Sequence, residues 1–196
     1  MILNSYYLNE YVPKYYVADH EILEKFKRIR ENIWNFKDGG NEGQKYFIDD
    51  VVSIIQEIKS LNENERIIII PIPASNTYST YKRFYNFLGE VCNKTGIING
   101  YGAIESEDHE PNHRGGPRTH NFSKNSSFQI LENDIIIIFD DIRTSGRSFM
   151  KASDLFITNR VHGLFLGKTI DRLNKHNYIK SHLTMEDFLW KYQLLI

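Results

Sequence analysis

The sequence predicts an α/β domain with a mostly parallel sheet flanked by helices, because apolar strands alternate along it with amphipathic helices. Two β-branched runs without a polar face, at residues 67–70 and 135–139, are typical of strands covered on both sides. The segments that follow them, residues 78–91 and 148–157, carry apolar side chains at helical spacing. Parallel sheets bind ligands at the carboxyl ends of their strands, so the residues after each run are the first candidates for a site.

Composition bounds the class of protein. The chain has 196 residues, enough for one domain, and its 24 Lys+Arg nearly balance 25 Asp+Glu, which argues against a generic polyanion binder. A single cysteine, Cys92, excludes an intrachain disulfide framework and fits a reducing compartment. The N-terminal residues are interrupted by polar side chains too often for a signal peptide or a membrane span. We therefore expect a cytoplasmic protein with no membrane partner.

The order of segments predicts one domain over residues 1–196. Apolar stripes at residues 22–36 and 47–58 indicate two helices in a helical extension over residues 1–62. The core is expected over residues 63–172, with weaker strands at 97–104 and 161–169, and a C-terminal helix over 173–196. Residues 105–127 have few aliphatic side chains and are interpreted either as a long functional loop or as a disordered insertion.

The most informative segment is the end of the run at 135–139. Asp140 and Asp141 follow it, and a polar turn containing Gly146 then opens into a helix. Successive backbone N–H groups in such a turn and at a helix N-terminus bind phosphate, and glycine lets the backbone approach closely. The carboxylates would accept hydrogen bonds from vicinal sugar hydroxyls and hold Mg²⁺ through water. The pattern predicts a sugar-phosphate site; the alternative is a capped turn without a ligand.

Residues 136–148 resemble the phosphoribosyl pyrophosphate (PRPP) signature of the type I phosphoribosyltransferase family, in which apolar residues precede two acids and a Gly-containing hydroxyl turn. Arg143 stands where that family usually has an aliphatic residue. The resemblance implies a type I phosphoribosyltransferase-like fold, with residues 1–62 contributing a hood over the acceptor site. It also implies Mg²⁺-dependent transfer of ribosyl 5-phosphate to a nitrogen acceptor such as a nucleobase or an amine.

The resemblance implies a role for each candidate residue. Catalytic groups would be Asp140 and Asp141, which also hold Mg²⁺ indirectly, and Arg114 and Arg118 of a mobile lid over residues 105–127. The remaining assignments are the 5-phosphate on Thr144, Ser145, Gly146, Arg147 and Ser148, the pyrophosphate on Ala74, Ser75, Asn76 and Arg83, and the acceptor pocket at Lys168, Thr169 and Asp171.

A weaker resemblance points to the ComF-like, amidophosphoribosyltransferase-like subgroup, through residues 33–39, 70–75, 82–86 and 118–121. Tyr85 replaces a glycine of the subgroup's pattern. This resemblance supplies the main alternative: a non-catalytic module that binds PRPP or a nucleotide, acts in regulation or in DNA uptake or processing, and has nucleic acid as a partner. The acceptor and the oligomeric state are left open, with a homodimer among the alternatives.

Three other features suggest different chemistry. His109, His113 and His120 lie near acids, but no regular spacing fixes them as zinc ligands. Residues 163–169 have three residues between their glycines where a phosphate-binding NTPase loop needs four. The N-terminal tyrosines fit a hood or an oligomer contact better than base stacking; they are Tyr6, Tyr7, Tyr11, Tyr15 and Tyr16.

Overall fold

The computed structural model describes residues 4–13, 24, 26–106 and 121–169. It contains a five-stranded sheet in the order β1-β7-β6-β2-β3, all of whose pairs are parallel, and a separate antiparallel hairpin of β4 and β5. The predicted α/β class with a mostly parallel, helix-flanked sheet is confirmed. The strands are β1 (Asn4–Tyr11), β2 (Ile67–Pro71), β3 (Ile98–Asn99), β4 (Ile104–Ser106), β5 (Phe122–Lys124), β6 (Ile135–Arg143) and β7 (Arg160–Thr169); the helices are α1 (Lys27–Lys37), α2 (Asn41–Ser60), α3 (Thr77–Thr95) and α4 (Arg147–Asp154).

Strand β6 lies at the centre of the sheet and separates two hydrophobic cores. It pairs with β2 on one side and β7 on the other. Side chains alternate between the faces of a strand. Accordingly, Ile135, Ile137 and Phe139 pack with the helices α1, α2 and α3, whereas Ile136 and Ile138 pack with α4 and the hairpin. The continuous apolar run at 135–139 exists because both of these faces are covered.

The N-terminal segment differs from the expected helical extension. Residues Asn4–Tyr11 form an edge strand that pairs with β7. Tyr6, Tyr7 and Tyr11 are buried there, so the hood or oligomer contact expected for these three is wrong. Tyr6 and Tyr11 pack in one core and Tyr7 packs in the other, so this strand buries aromatic side chains on both of its faces, and aromatic residues favour strands. The other two tyrosines, at 15 and 16, lie outside the described residues.

Helices α1 and α2 cover one face of the sheet as part of its main core. Ile33 and Phe36 of α1 and Phe47 of α2 are fully buried together with Phe139 of β6. The apolar stripes therefore predicted the helices correctly, although α1 is described only from Lys27 onward. These two helices bring the end of α1 close to the end of β6, which matters for the site.

The predicted long loop begins and ends in a strand pair. Glu105 lies opposite Ser123 in the hairpin of β4 and β5. The weak strand expected at 97–104 is divided between β3 and β4. Residues 107–120, with Arg114, Arg118 and the three histidines, lie outside the described part, as do residues 170–196 with the expected C-terminal helix. Among the described residues, no helix combines the length and apolar character needed to cross a membrane.

We predict opposite effects on stability for alanine at two helical glycines. A Cβ at Gly43 would collide with the backbone of Asn32 and Phe36, where α2 crosses α1, whereas a Cβ at Gly89 of α3 meets nothing within 4 Å. Gly43→Ala should cost about 1–3 kcal/mol of unfolding free energy through overpacking. Gly89→Ala should gain about 0.5–1 kcal/mol through helix propensity. Urea unfolding of both variants checks this, and a neutral Gly43→Ala would contradict the tight α1–α2 crossing.

Candidate functional site

The turn after β6 presents backbone donors at the carboxyl edge of the sheet. Gly146 has a φ of 74°, in the left-handed region that favours glycine, and is the N-cap of α4. In the part of the chain that the structure describes, no side chain caps this helix, so the amides of its first turn are available to an anion. Thr144, Ser145 and Arg147 are exposed around Gly146, and Ser148 is half-buried. The structure thus brings the five residues expected to hold phosphate into one turn.

The turn before α3 lies at the same edge, but hydrogen bonds within residues 74–80 already hold it. The Ala74 N–H donates to Thr80 Oγ1 at 2.9 Å, and the Asn76 side chain accepts the Ser79 N–H at 2.8 Å. Ile72 N–H donates to the Phe139 carbonyl at 2.9 Å, which fixes this segment beside the end of β6. Ala74, Ser75 and Asn76 are therefore near the acids, but the Ala74 amide and the Asn76 side chain already have partners within the chain.

The two acids at the end of β6 have different surroundings. Asp141 is only 3% exposed; its Oδ2 lies 2.7 Å from Arg83 Nη1 and its Oδ1 lies 3.4 Å from Lys37 Nζ. Asp140 is partly exposed, and its Oδ1 accepts the Asp141 N–H at 2.8 Å. Strand alternation places Asp141 on the α1–α3 face and Asp140 on the α4 face. Asp140 is therefore the acid on the same side as the turn at residues 144–148.

Arg83 and Lys37 form one polar cluster with Asp141. Arg83 Nε donates to the Lys37 carbonyl at 3.3 Å, in addition to its contact with Asp141. Sequence reasoning assigned Arg83 to pyrophosphate, and the structure places two of its donors on other groups. The sequence did not identify Lys37 as a site residue, although Lys37 belongs to the segment 33–39 that resembles the ComF-like pattern.

The pKa of Asp140 is raised from its ordinary 3.8 to about 7. Although part of the residue reaches the surface, desolvation by the surrounding protein is the largest cause, and the neighbouring Asp141 carboxylate is the second. Arg83, the Asp141 N–H and Lys37 act in the opposite direction and lower the pKa. Near neutral pH this carboxyl can therefore gain or lose a proton at small cost. Such a shifted acid at the carboxyl end of a buried strand is typical of a functional site.

The neighbouring strand β7 brings two more of the expected residues to this edge. Lys168 pairs in register with Arg143 of β6, and its Nζ lies 4.8 Å from the centre of the Tyr7 ring. Thr169 ends the strand, while Asp171 lies outside the described residues. The Arg143 guanidinium lies 5.5 and 5.7 Å from the rings of Phe149 and Phe165, so stacking on aromatic rings accommodates a cation at this usually aliphatic position.

Replacing Asp140 should stabilise the protein at neutral and alkaline pH. The folded chain holds the Asp140 proton more tightly than the unfolded chain, so stability from this group is lost as pH rises from 3.8 through about 7. Asp140→Asn should raise Tm at pH 8 by at least about 2 °C, the shift that roughly 1 kcal/mol gives a domain of this size. Its advantage should shrink toward pH 5. Thermal unfolding from pH 5 to 8 tests this, with the exposed Asp154→Asn as a charge-loss control; a gain independent of pH would contradict it.

Comparisons with known proteins give a limited likeness. No protein-family model and no curated protein matches the chain. Solved structures similar to it include a hypoxanthine phosphoribosyltransferase from Staphylococcus aureus in a tetragonal and an orthorhombic crystal form, at TM-scores of 0.37 and 0.35 and identities of 13% and 14%. Each match covers 63% of this chain, and 74% and 75% of the respective neighbour. The ComF-like resemblance has no support among these matches and stays a prediction, and the function must be argued from the site.

Proposed function

We propose that this protein binds PRPP and, with Mg²⁺, transfers its ribosyl 5-phosphate to a nitrogen acceptor such as a nucleobase or an amine. The supporting observation is the position of the partly exposed Asp140 at the end of β6, before a turn whose helix amides lack a side-chain cap. A phosphate group needs N–H donors, and a ribose diol needs an acceptor for its hydroxyl protons. The end of β6 and the turn after it offer both within residues 140–149.

Each part of the ligand has a matching part of the site in this proposal. The 5-phosphate binds to the backbone amides of residues 145–149, with the hydroxyls of Thr144, Ser145 and Ser148 as further donors. Asp140 accepts hydrogen bonds from the ribose hydroxyls. Lys168 and Thr169, at the adjacent end of β7, line the acceptor side. Residues 107–120, with Arg114 and Arg118, would cover the pyrophosphate.

The reaction needs positioning and electrostatic stabilisation more than covalent catalysis. The bond between C1 of the ribose and the pyrophosphate oxygen breaks, and that oxygen keeps the electron pair. A bond forms between C1 and the acceptor nitrogen, whose proton passes to solvent. Positive charge develops on the ribose between these events, and ionised Asp140 stabilises it. The turn holds the 5-phosphate so that C1 faces the acceptor.

The residues fit a magnesium ion that arrives with its phosphate ligand. In the described ranges, no three His, Cys, Asp or Glu side chains lie close enough to form a metal site by themselves. Asp140 would hold the ion through water, which is typical of Mg²⁺, whereas Asp141 is already paired with two cations. When bound, the ion would supply charge neutralisation for the departing pyrophosphate.

The phosphate turn is tested by two glycines with the same backbone conformation. Gly146 (φ 74°) lies in the turn, and Gly102 (φ 84°) lies in open space beside β4. Gly146→Ala strains the turn and brings a Cβ to 3.3 Å from Arg143 Nε. We expect at least a roughly tenfold loss of affinity for PRPP with Mg²⁺, equivalent to one weakened hydrogen bond to a charged group. In calorimetric titration, Gly102→Ala should bind as the wild type does; equal affinities for all three would exclude the turn.

Transfer is tested separately from binding. We expect wild-type protein with PRPP and Mg²⁺ to release pyrophosphate when a nucleobase or amine acceptor is present, faster than with PRPP alone. Asp140→Asn should abolish the acceptor-dependent release, because the ribose loses its stabilising charge. If PRPP binds but no acceptor in such a panel stimulates release, the non-catalytic PRPP-binding module is the correct function, and nucleic acid becomes the partner to test.

A further inference from the structure

Three elements of the fold meet at the buried carboxylate of Asp141. Lys37 at the end of α1, Arg83 in α3 and Asp141 in β6 are remote in sequence. In the fold, Arg83 Nη1 lies 2.7 Å and Lys37 Nζ lies 3.4 Å from the carboxylate oxygens of Asp141. Both carboxylate oxygens are therefore occupied by cations from the helical layer. Removing one partner of such a buried ion pair leaves an uncompensated charge, so the cluster depends on all of its members.

The Arg83 cation is itself held by the end of α1. Arg83 Nε donates to the Lys37 carbonyl, which ties α3 to the end of α1. Gln44 of α2 donates to the Lys82 carbonyl at 3.4 Å, beside Arg83, and a Cβ at Gly39 would lie 2.7 Å from the same oxygen. The turn between α1 and α2 thus packs closely on α3 where Arg83 leaves it. Arg83, the closer of the two cations, therefore reaches Asp141 from a tightly packed junction of α1, α2 and α3.

We infer that Lys37 and Arg83 are positioning residues, which act on ligand binding by holding Asp141 in the helical layer. With Asp141 held, the end of β6 is fixed, so that Asp140 faces the ligand and the turn at 144–148 keeps its open amides. This inference rests on the proposed function. It changes the expected role of Arg83, which acts through Asp141 instead of contacting pyrophosphate, and it makes Asp141 an anchor.

A double-mutant cycle separates the two roles of Arg83. We would titrate PRPP with Mg²⁺ into the wild type, Arg83→Met, Asp141→Asn and the double variant, at a temperature at which all are folded. Each single change should weaken binding by roughly 10–100-fold, the usual effect of losing a group that orients a ligand-binding side chain. The double variant should lose no more than the weaker-binding single variant, because both changes break one contact. Arg83→Lys should recover part of the affinity, since it restores a cation.

The matched control is Lys82→Met, which removes the neighbouring cation of the same helix. Lys82 Nζ lies 5.8 Å from the centre of the Tyr78 ring, and this variant should bind as the wild type does. If Arg83→Met does not fold by near-ultraviolet circular dichroism, Lys37→Met with Asp141→Asn runs the same cycle through the other cation.

The outcomes distinguish the inference from the function on which it rests. If the affinity loss of the double variant equals the product of the two single losses, Arg83 contacts the ligand independently of Asp141, and the inference is overturned. Unchanged affinity in Arg83→Met and Lys37→Met would also overturn it. A wild type that is folded but binds no PRPP refutes the proposed function itself, before any variant is compared.

Discussion

The alternation of side chains along β6 is the constraint on which the site depends. This strand is paired on both edges and covered on both faces, so its two-residue period cannot slip without exchanging the two cores. The period sends the adjacent acids to opposite layers. Asp141 enters the helical layer, where Arg83 and Lys37 neutralise it, and Asp140 is left beside the phosphate turn. Adjacent acids of the same type thereby acquire different environments.

The site reduces the stability of the fold that carries it. Burial and the neighbouring Asp141 carboxylate disfavour the ionised form of Asp140. In addition, helix α4 begins without a side-chain cap. The α3 helix, one strand away, begins instead at Asn76, whose side chain accepts the Ser79 N–H. Departures from local stability rules of this kind are expected where groups serve a ligand.

Much of this arrangement was predictable from the sequence, and the remainder has physical reasons. Unbroken isoleucine runs identified β2 and β6, helical spacing identified α2 and α3, and the glycine after two acids located the turn. Strand β1 was missed because its tyrosines suggested a surface contact, and because the consecutive Tyr6 and Tyr7 are both buried and so give no alternating strand pattern. The cluster around Asp141 could not be predicted, because Lys37 and Arg83 reach it only through the packing of α1 and α3 on the sheet.

The central claim, that the turn after β6 binds a sugar phosphate, is tested most directly by amide hydrogen exchange with ribose 5-phosphate. This ligand carries the phosphate and the diol but no pyrophosphate. We predict slower exchange at the amides of residues 145–149 and unchanged exchange at the turn of residues 74–76, since only the turn after β6 receives the 5-phosphate. Unchanged exchange at residues 145–149 at a ligand concentration that saturates binding would contradict the account.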